Sequence, residues 1–355
     1  MIELSIMQGT EISVSLLVVL SLATGVISGF VGLGGGFIMT PALIILGFPA
    51  HYAVGTSILW VMGNSIIGTF RHRHLGNVDF KLGGIMIVFL LCGVELGVRA
   101  ITAAKNAGLA ETSVLLVTIC SLLVVGSSVF WESTQTRSRL DKLIKENKEA
   151  NESISFSLLI SLTSRIQIPP VIHFSKSNTR ISVWMLMLLG LVAGTLSSFI
   201  GVGGGFIIVP SLVYLFGVPS FVAVGTNLFQ IIAPTAFGAA RHTLDANVVI
   251  FASFVMIMGS SAGIYFGSLL TRYLREVSMR YTLASSILVA VIGSIFKLIT
   301  IISRNETDWI QLGIKIITFG GLALIVCILI GLFIAAIRHK DGKYIPIWVQ
   351  SLVKD

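Results

Sequence analysis

Twice in this chain a long apolar run is interrupted in the same way, by GLGGGFIMTP at 32–41 and by GVGGGFIIVP at 201–210. Clustered glycines weaken a helix, and a proline a few residues on removes an amide from its ladder. Neither stretch can continue as an ordinary helix. The surroundings are those of a membrane protein: 55% of the residues are hydrophobic and 11% are charged, against about a quarter charged in a typical soluble domain. Apolar runs long enough to cross the ~30 Å hydrocarbon layer recur along the chain. Within that layer an unpaired backbone group costs several kcal/mol, so a broken helix survives only when buried in protein or lining a wet cavity.

Apolar segments fall at 13–31, 34–48, 53–70, 80–103, 112–131, 182–200, 203–217, 222–240, 247–270, 279–302 and 309–337. Those at 34–48 and 203–217 follow the glycine clusters and are shorter than the ~17–25 residues of a usual span. The two halves repeat. A shift of 169 carries Gly32 onto Gly201 and Pro41 onto Pro210; a shift of 170 carries AVGTS (53–57) onto AVGTN (223–227), Arg71 and His72 onto Arg241 and His242, and Gly93 and Gly97 onto Gly263 and Gly267. The expected organisation is a first transmembrane repeat at 1–131, a polar cytoplasmic linker at 132–180, a second repeat at 181–302, and an extra helix with a cytoplasmic tail at 303–355.

Loop charge sets the orientation. Arg71, Arg73 and Lys81 mark 71–81 as cytoplasmic, as do the bases of 132–180, TRYLREVSMR at 271–280 and the tail RHKDGK at 338–343. The connection near Arg241, SRNETD at 303–308 and the N-terminus then lie outside. Equivalent loops face opposite sides, so the expected fold is an all-α polytopic membrane protein of two inverted-topology repeats, each with a Gly-rich broken or re-entrant helix.

A helix that starts at such a break presents free N–H groups and a positive dipole end. That makes an anion site without a Lys or Arg in the lipid core. The expected substrate-binding residues are Gly34, Gly35, Gly36 and Phe37 with Thr56 and Ser57, and Gly203, Gly204, Gly205 and Phe206 with Thr226 and Asn227. Asn64, Gln230, Trp60 and Phe229 lie farther along the same segments as cavity candidates, and Arg71 and Arg241 as snorkelling anchors or guard cations at its mouths. Close helix packing is the competing reading of the glycines, and back-bonding to helix carbonyls that of the hydroxyls. Glu95 and Arg99, four residues apart, suit an ion pair on one helix face.

The glycine clusters, AVGTS and FRHRHLGNVD resemble the sulfite exporter TauE/SafE family of membrane transporters, over roughly 14–103 and 183–270. The resemblance implies movement of small sulfur-containing anions such as sulfite or organosulfonates. Glu95 and the long linker depart from the family pattern. The expected function is a secondary transporter in the cytoplasmic membrane, exporting such an anion by alternating access. An anion channel and an ion-coupled uptake carrier remain the alternatives. An enzyme is not expected, because the six histidines sit at or outside segment ends without ligand-spaced pairs. Cys92, Cys120 and Cys327 are scattered, so no metal, disulfide or cofactor is expected. The net charge of +8 is assigned to lipid contact and orientation rather than nucleic acid, and a homo-oligomer is left open.

Overall fold

The computed structural model describes residues 3–5, 11–145, 168–303, 307–340, 349 and 352–353. Most of the expected linker (146–167), the centre of the 303–308 loop and the tail beyond 340 up to 348 lie outside the described residues. A short hairpin, β1 (Glu3–Ser5) and β2 (Glu11–Ser13), leads into α1 (Val14–Val31). Then come α2 (Gly36–Ile45), α3 (Ala50–His74), α4 (Phe80–Asn106) and α5 (Ala110–Lys145). A second hairpin, β3 (Val171–Phe174) with β4 (Thr179–Ser182), precedes α6 (Val183–Ile200) and α7 (Gly205–Tyr214). The chain closes with α8 (Ser220–Gln230), α9 (Ile232–Leu244), α10 (Ile250–Tyr273), α11 (Glu276–Ser303) and α12 (Asp308–Lys340). Among the described residues nine helical stretches are long and apolar enough to cross a membrane, with α2 and α7 as shorter apolar helices. The protein is an all-α polytopic membrane protein.

Three local features lie outside the apolar-segment reading of the sequence. The apolar part of α5 ends at Trp131, but the helix runs on to Lys145 through residues assigned to the linker. The segment expected as one helix over 222–240 is two, α8 and α9, interrupted at Ile231. Pro234 is the cause, since it has no N–H to return to the carbonyl of Gln230. Its counterpart in the first half is Asn64, and α3 runs unbroken. The linker also contributes the β3–β4 hairpin, which is docked rather than free. Ser177 Oγ donates to Asp79 Oδ2 at 2.7 Å, and Lys81 Nζ donates to the carbonyl of His173 at 3.1 Å. Asp79 Oδ1 meanwhile caps α4 by accepting from Leu82 N at 3.1 Å.

The halves interlock. Helix α1 packs along α10, and α4 along α6, so the first helix of each half lies on the equivalent later helix of the other. Glycines make the approach close. Gly25 and Gly29 meet the backbone of Ser260 and Ile264, while Gly263 and Gly267 meet Leu22 and Val26. In the other seam Gly93 and Gly97 meet Leu191 and Thr195, and Gly194 meets Leu90. These are the small-residue seams that let membrane helices touch backbone to backbone. Helix α5 packs on α11, α12 lies against α11 and α1, and α3 crosses α9 and α10 through the middle. The core concentrates at the breaks, where Phe30, Phe37, Trp60 and Phe206 are wholly buried.

Candidate functional site: two crossed helix breaks

Each break is built by left-handed glycines. Helix α1 ends at Gly32 (φ 74°), whose N–H returns to Ser28 O, and the chain then turns through Gly34 (φ 73°) and Gly35 (φ 83°) into α2. Helix α6 ends at Gly201 (φ 83°) and turns through Gly203 (φ 81°) and Gly204 (φ 78°) into α7. An L side chain is strained at such angles, which is why the cluster is glycine. The breaks touch. A Cβ at Gly36 would stand 2.6 Å from Val202 Cα, and one at Gly205 would stand 2.8 Å from Leu33 O. Gly34 and Gly203 both face Val61 and Ile231, which correspond to each other under the shift of 170.

The polar groups at the crossing differ in their partners. Three of the carbonyls are capped by side chains: Gly32 O accepts from Asn227 Nδ2 at 2.7 Å, Gly34 O from Asn64 Nδ2 at 3.4 Å, and Gly201 O from Thr40 Oγ1 at 3.2 Å. The amides are not. In α2 the first backbone bonds are Ile38 N and Met39 N to Gly35 O, both 3.1 Å, and in α7 they are Ile207 N and Ile208 N to Gly204 O, both 3.2 Å. The N–H groups of Gly35, Gly36 and Phe37, and of Gly204, Gly205 and Phe206, have no acceptor among the described residues. All six residues are buried. Two helix N-termini with open donors therefore cross in the protein interior, and each adds a fractional positive charge.

The other expected residues divide. Asn64, Asn227 and Gln230 join the breaks, Gln230 through its Nε2, which donates to Asn227 Oδ1 at 3.3 Å. Trp60 sits against Gly35 and donates from Nε1 to Ser260 Oγ at 3.1 Å. Ser57 is fully buried with its Oγ unpartnered. Thr56 and Thr226 hold loops: their hydroxyl oxygens accept from Val249 N at 3.0 Å and Asp79 N at 2.8 Å. Phe229 packs edge-on against Phe80, at 5.0 Å between centroids. Arg71 lies seven residues beyond Asn64 on α3, about 10 Å along the helix, and Arg241 is farther still from Gln230. Arg71 covers the Tyr265 ring at 3.8 Å, and Arg241 pairs with Glu95 at 3.3 Å. Glu95 also pairs with Arg99 at 2.9 Å, as its spacing suggested.

Sequence reasoning missed His72 and His242, which it placed at segment ends. Both are wholly buried, and their Nε2 atoms bond the carbonyls of Gly29 (3.0 Å) and Ser198 (3.3 Å), fixing the ends of α3 and α9 to α1 and α6. The repeated Arg-His dipeptide was the available signal. Among the described residues no group of three His, Cys, Asp or Glu is placed to hold a metal ion. A cleft of about 620 Å³ between α5, α6 and α7, lined by Val124, Leu196 and Tyr214, is apolar and lies on the flank rather than at the breaks.

Comparison with known proteins identifies the family. The family described as Sulfite exporter TauE/SafE matches residues 17–292. The probable membrane transporter protein YdhB of Bacillus subtilis is 25% identical over 267 residues, covering 75% of this chain and 93% of its own. The probable membrane transporter protein MJ0441 of Methanocaldococcus jannaschii is 26% identical over 243 residues, 65% of this chain and 73% of its own. A probable membrane transporter protein of Haemophilus influenzae reaches 34%, over 110 residues, 28% of this chain and 40% of its own. No solved structure matches the chain.

Proposed function

The chain belongs to the sulfite exporter TauE/SafE family of membrane transporters, and from that premise we propose that it carries a small sulfur-containing anion across the cytoplasmic membrane. The substrate is of the sulfite or organosulfonate class and binds between the two breaks. One observation carries this reading: the buried amides at the starts of α2 and α7 are open while three neighbouring carbonyls, of Gly32, Gly34 and Gly201, are capped by Asn227, Asn64 and Thr40. A site with unmet donors and satisfied acceptors favours negative charge. The caps on the Gly32, Gly34 and Gly201 carbonyls count against a sodium site built from those three.

The two halves are inverted repeats that exchange access to this site. The reciprocal contacts support it: Gly32 lies on Val224 as Gly201 lies on Val54, and Thr226 holds Asp79 as Thr56 holds Val249. Export is the favoured direction. A cell interior that is negative drives an anion outward by about 2.3 kcal/mol per charge per 100 mV, with no coupled ion required. The N-terminus is outside and the α3–α4 loop inside. The test is flux of sulfite from proteoliposomes loaded with it. Saturable efflux that responds to an imposed potential supports a carrier. Flux that rises without saturation would make the protein a channel, and no flux of any sulfur oxyanion would end the proposal.

A further inference from the structure

The two halves end their polar chains differently. In the first, Trp60 Nε1 donates to Ser260 Oγ at 3.1 Å, Ser260 donates to Asn64 Oδ1 at 2.5 Å, and Asn64 Nδ2 donates to Gly34 O. Every polar atom of that chain has a partner. The position equivalent to Trp60 in the second half is Gln230. Here the chain runs from Gly32 O to Asn227 Nδ2, and from Asn227 Oδ1 to Gln230 Nε2. It stops there: Gln230 Oε1 is buried without a partner, in a residue that is 0% exposed.

The orientation of both amides follows from the chain. Gly32 O can only accept, so Asn227 must turn Nδ2 toward it and Oδ1 away, and only Nε2 of Gln230 can then meet Oδ1. The unpartnered atom is therefore an acceptor. It is tied to the crossing through Asn227, whose Nδ2 would stand 2.6 Å from a Cβ at Gly205, the first residue of α7. Two buried hydroxyls, Ser28 Oγ on α1 and Ser57 Oγ on α3, also lack partners, although Thr24, Ser65 and Thr235 bond back to their own helices. Ser28 abuts Gly35. Buried groups are left unmatched at a cost, which a ligand that matches them recovers.

Resting on the anion reading above, we propose that the transported anion carries a hydrogen-bond donor of its own, which Gln230 Oε1 accepts. The open amides and serine hydroxyls take the oxyanion, and Gln230 takes an O–H or N–H elsewhere on the same molecule. The donor is either the acid proton of a partly protonated inorganic oxyanion or a hydroxyl or ammonium on an organosulfonate. A fully deprotonated anion, such as sulfate, leaves Gln230 unmet and binds more weakly.

The test is calorimetric binding to the detergent-purified full chain. Hydroxymethanesulfonate and ethanesulfonate have nearly the same shape and charge, and only the first has a donor. The expected result is that hydroxymethanesulfonate binds about tenfold or more tighter, and that Gln230→Met brings the ratio to about one while ethanesulfonate binding persists. Sulfite titrated below and above its second ionisation separates the inorganic source from the organic: tighter binding of the protonated form alone assigns the donor to the acid proton. Equal affinity of wild-type protein for the two sulfonates, with sulfite indifferent to its protonation, overturns the inference and leaves the anion site standing. So does a preference that survives Gln230→Met. Binding of no anion refutes the anion site and this inference with it. The wild-type comparison decides even if the variant does not fold.

Discussion

Adding one methyl group where the breaks cross should destabilise the protein, while the same change at an exposed helical glycine with open space around it should not. A Cβ at Gly36 would stand 2.6 Å from Val202 Cα and 2.7 Å from Gly201 O. Carbon atoms in contact prefer about 3.5–4.0 Å, so the breaks must separate by about 1 Å. The obstacle is backbone, which has no rotamer to change, so relief comes only by moving a whole segment. Overpacking of this kind costs about 1–3 kcal/mol. Gly205→Ala meets Leu33 O and Asn227 in the same way, and the two changes share one interface, so their costs will not simply add. Gly84→Ala is the control: it lies inside α4, exposed, with nothing within 4 Å of its added Cβ. Helix propensity alone favours that change by up to about 1 kcal/mol. Thermal unfolding in detergent should place Gly36→Ala and Gly205→Ala several degrees below Gly84→Ala, since 1 kcal/mol is worth about 2–4 °C in domains of 150–250 residues. Gly36→Ala as stable as Gly84→Ala would refute the crossing.

The loop ties give a second set of outcomes. Thr226→Val removes the acceptor of Asp79 N–H and should cost about 1–3 kcal/mol by thermal unfolding, with Thr226→Ser restoring most of it. Asp79→Ala removes both the α4 cap and the Ser177 tie; it should cost about 0.5–2 kcal/mol and speed proteolysis within 168–182. In a background with Cys92, Cys120 and Cys327 replaced, His74→Cys and Leu244→Cys occupy equivalent exposed positions. An impermeant thiol reagent applied to intact cells should label Leu244→Cys and spare His74→Cys; labelling of both, or of neither, contradicts the inverted topology.

Much of the fold was legible because glycine and proline act locally. The paired breaks, their short following helices and the repeat offset all follow from residues whose backbone limits are known. The interruption at Ile231 was legible in principle from Pro234, whose counterpart Asn64 is permissive. The crosswise packing was not. Gly93 and Gly97 repeat as Gly263 and Gly267, so the same small-residue seam fits a partner within its own half or in the other, and the sequence carries no preference. Linker composition concealed the β3–β4 hairpin, whose anchors, Asp79 and Lys81, lie far away in sequence. The glycines, Asn64 and Asn227 lie at the breaks, but the partners of Thr56 and Thr226 could not be read, because an amide 193 or 147 residues away leaves no local trace. Arg71 and Arg241 look alike in sequence and end on different partners, an aromatic ring and a carboxylate.

The central claim is that the open amides of α2 and α7 hold an anion, and the direct measurement is calorimetric titration of sulfite into purified protein, once in sodium and once in choline. The account predicts saturable binding, unchanged by the cation, that is lost in Gly204→Leu, where a side chain is forced onto a φ of 78° beside Ala193 O at 3.1 Å. No heat from sulfite in either medium, with heat from sodium alone, would contradict it and assign the breaks to a cation.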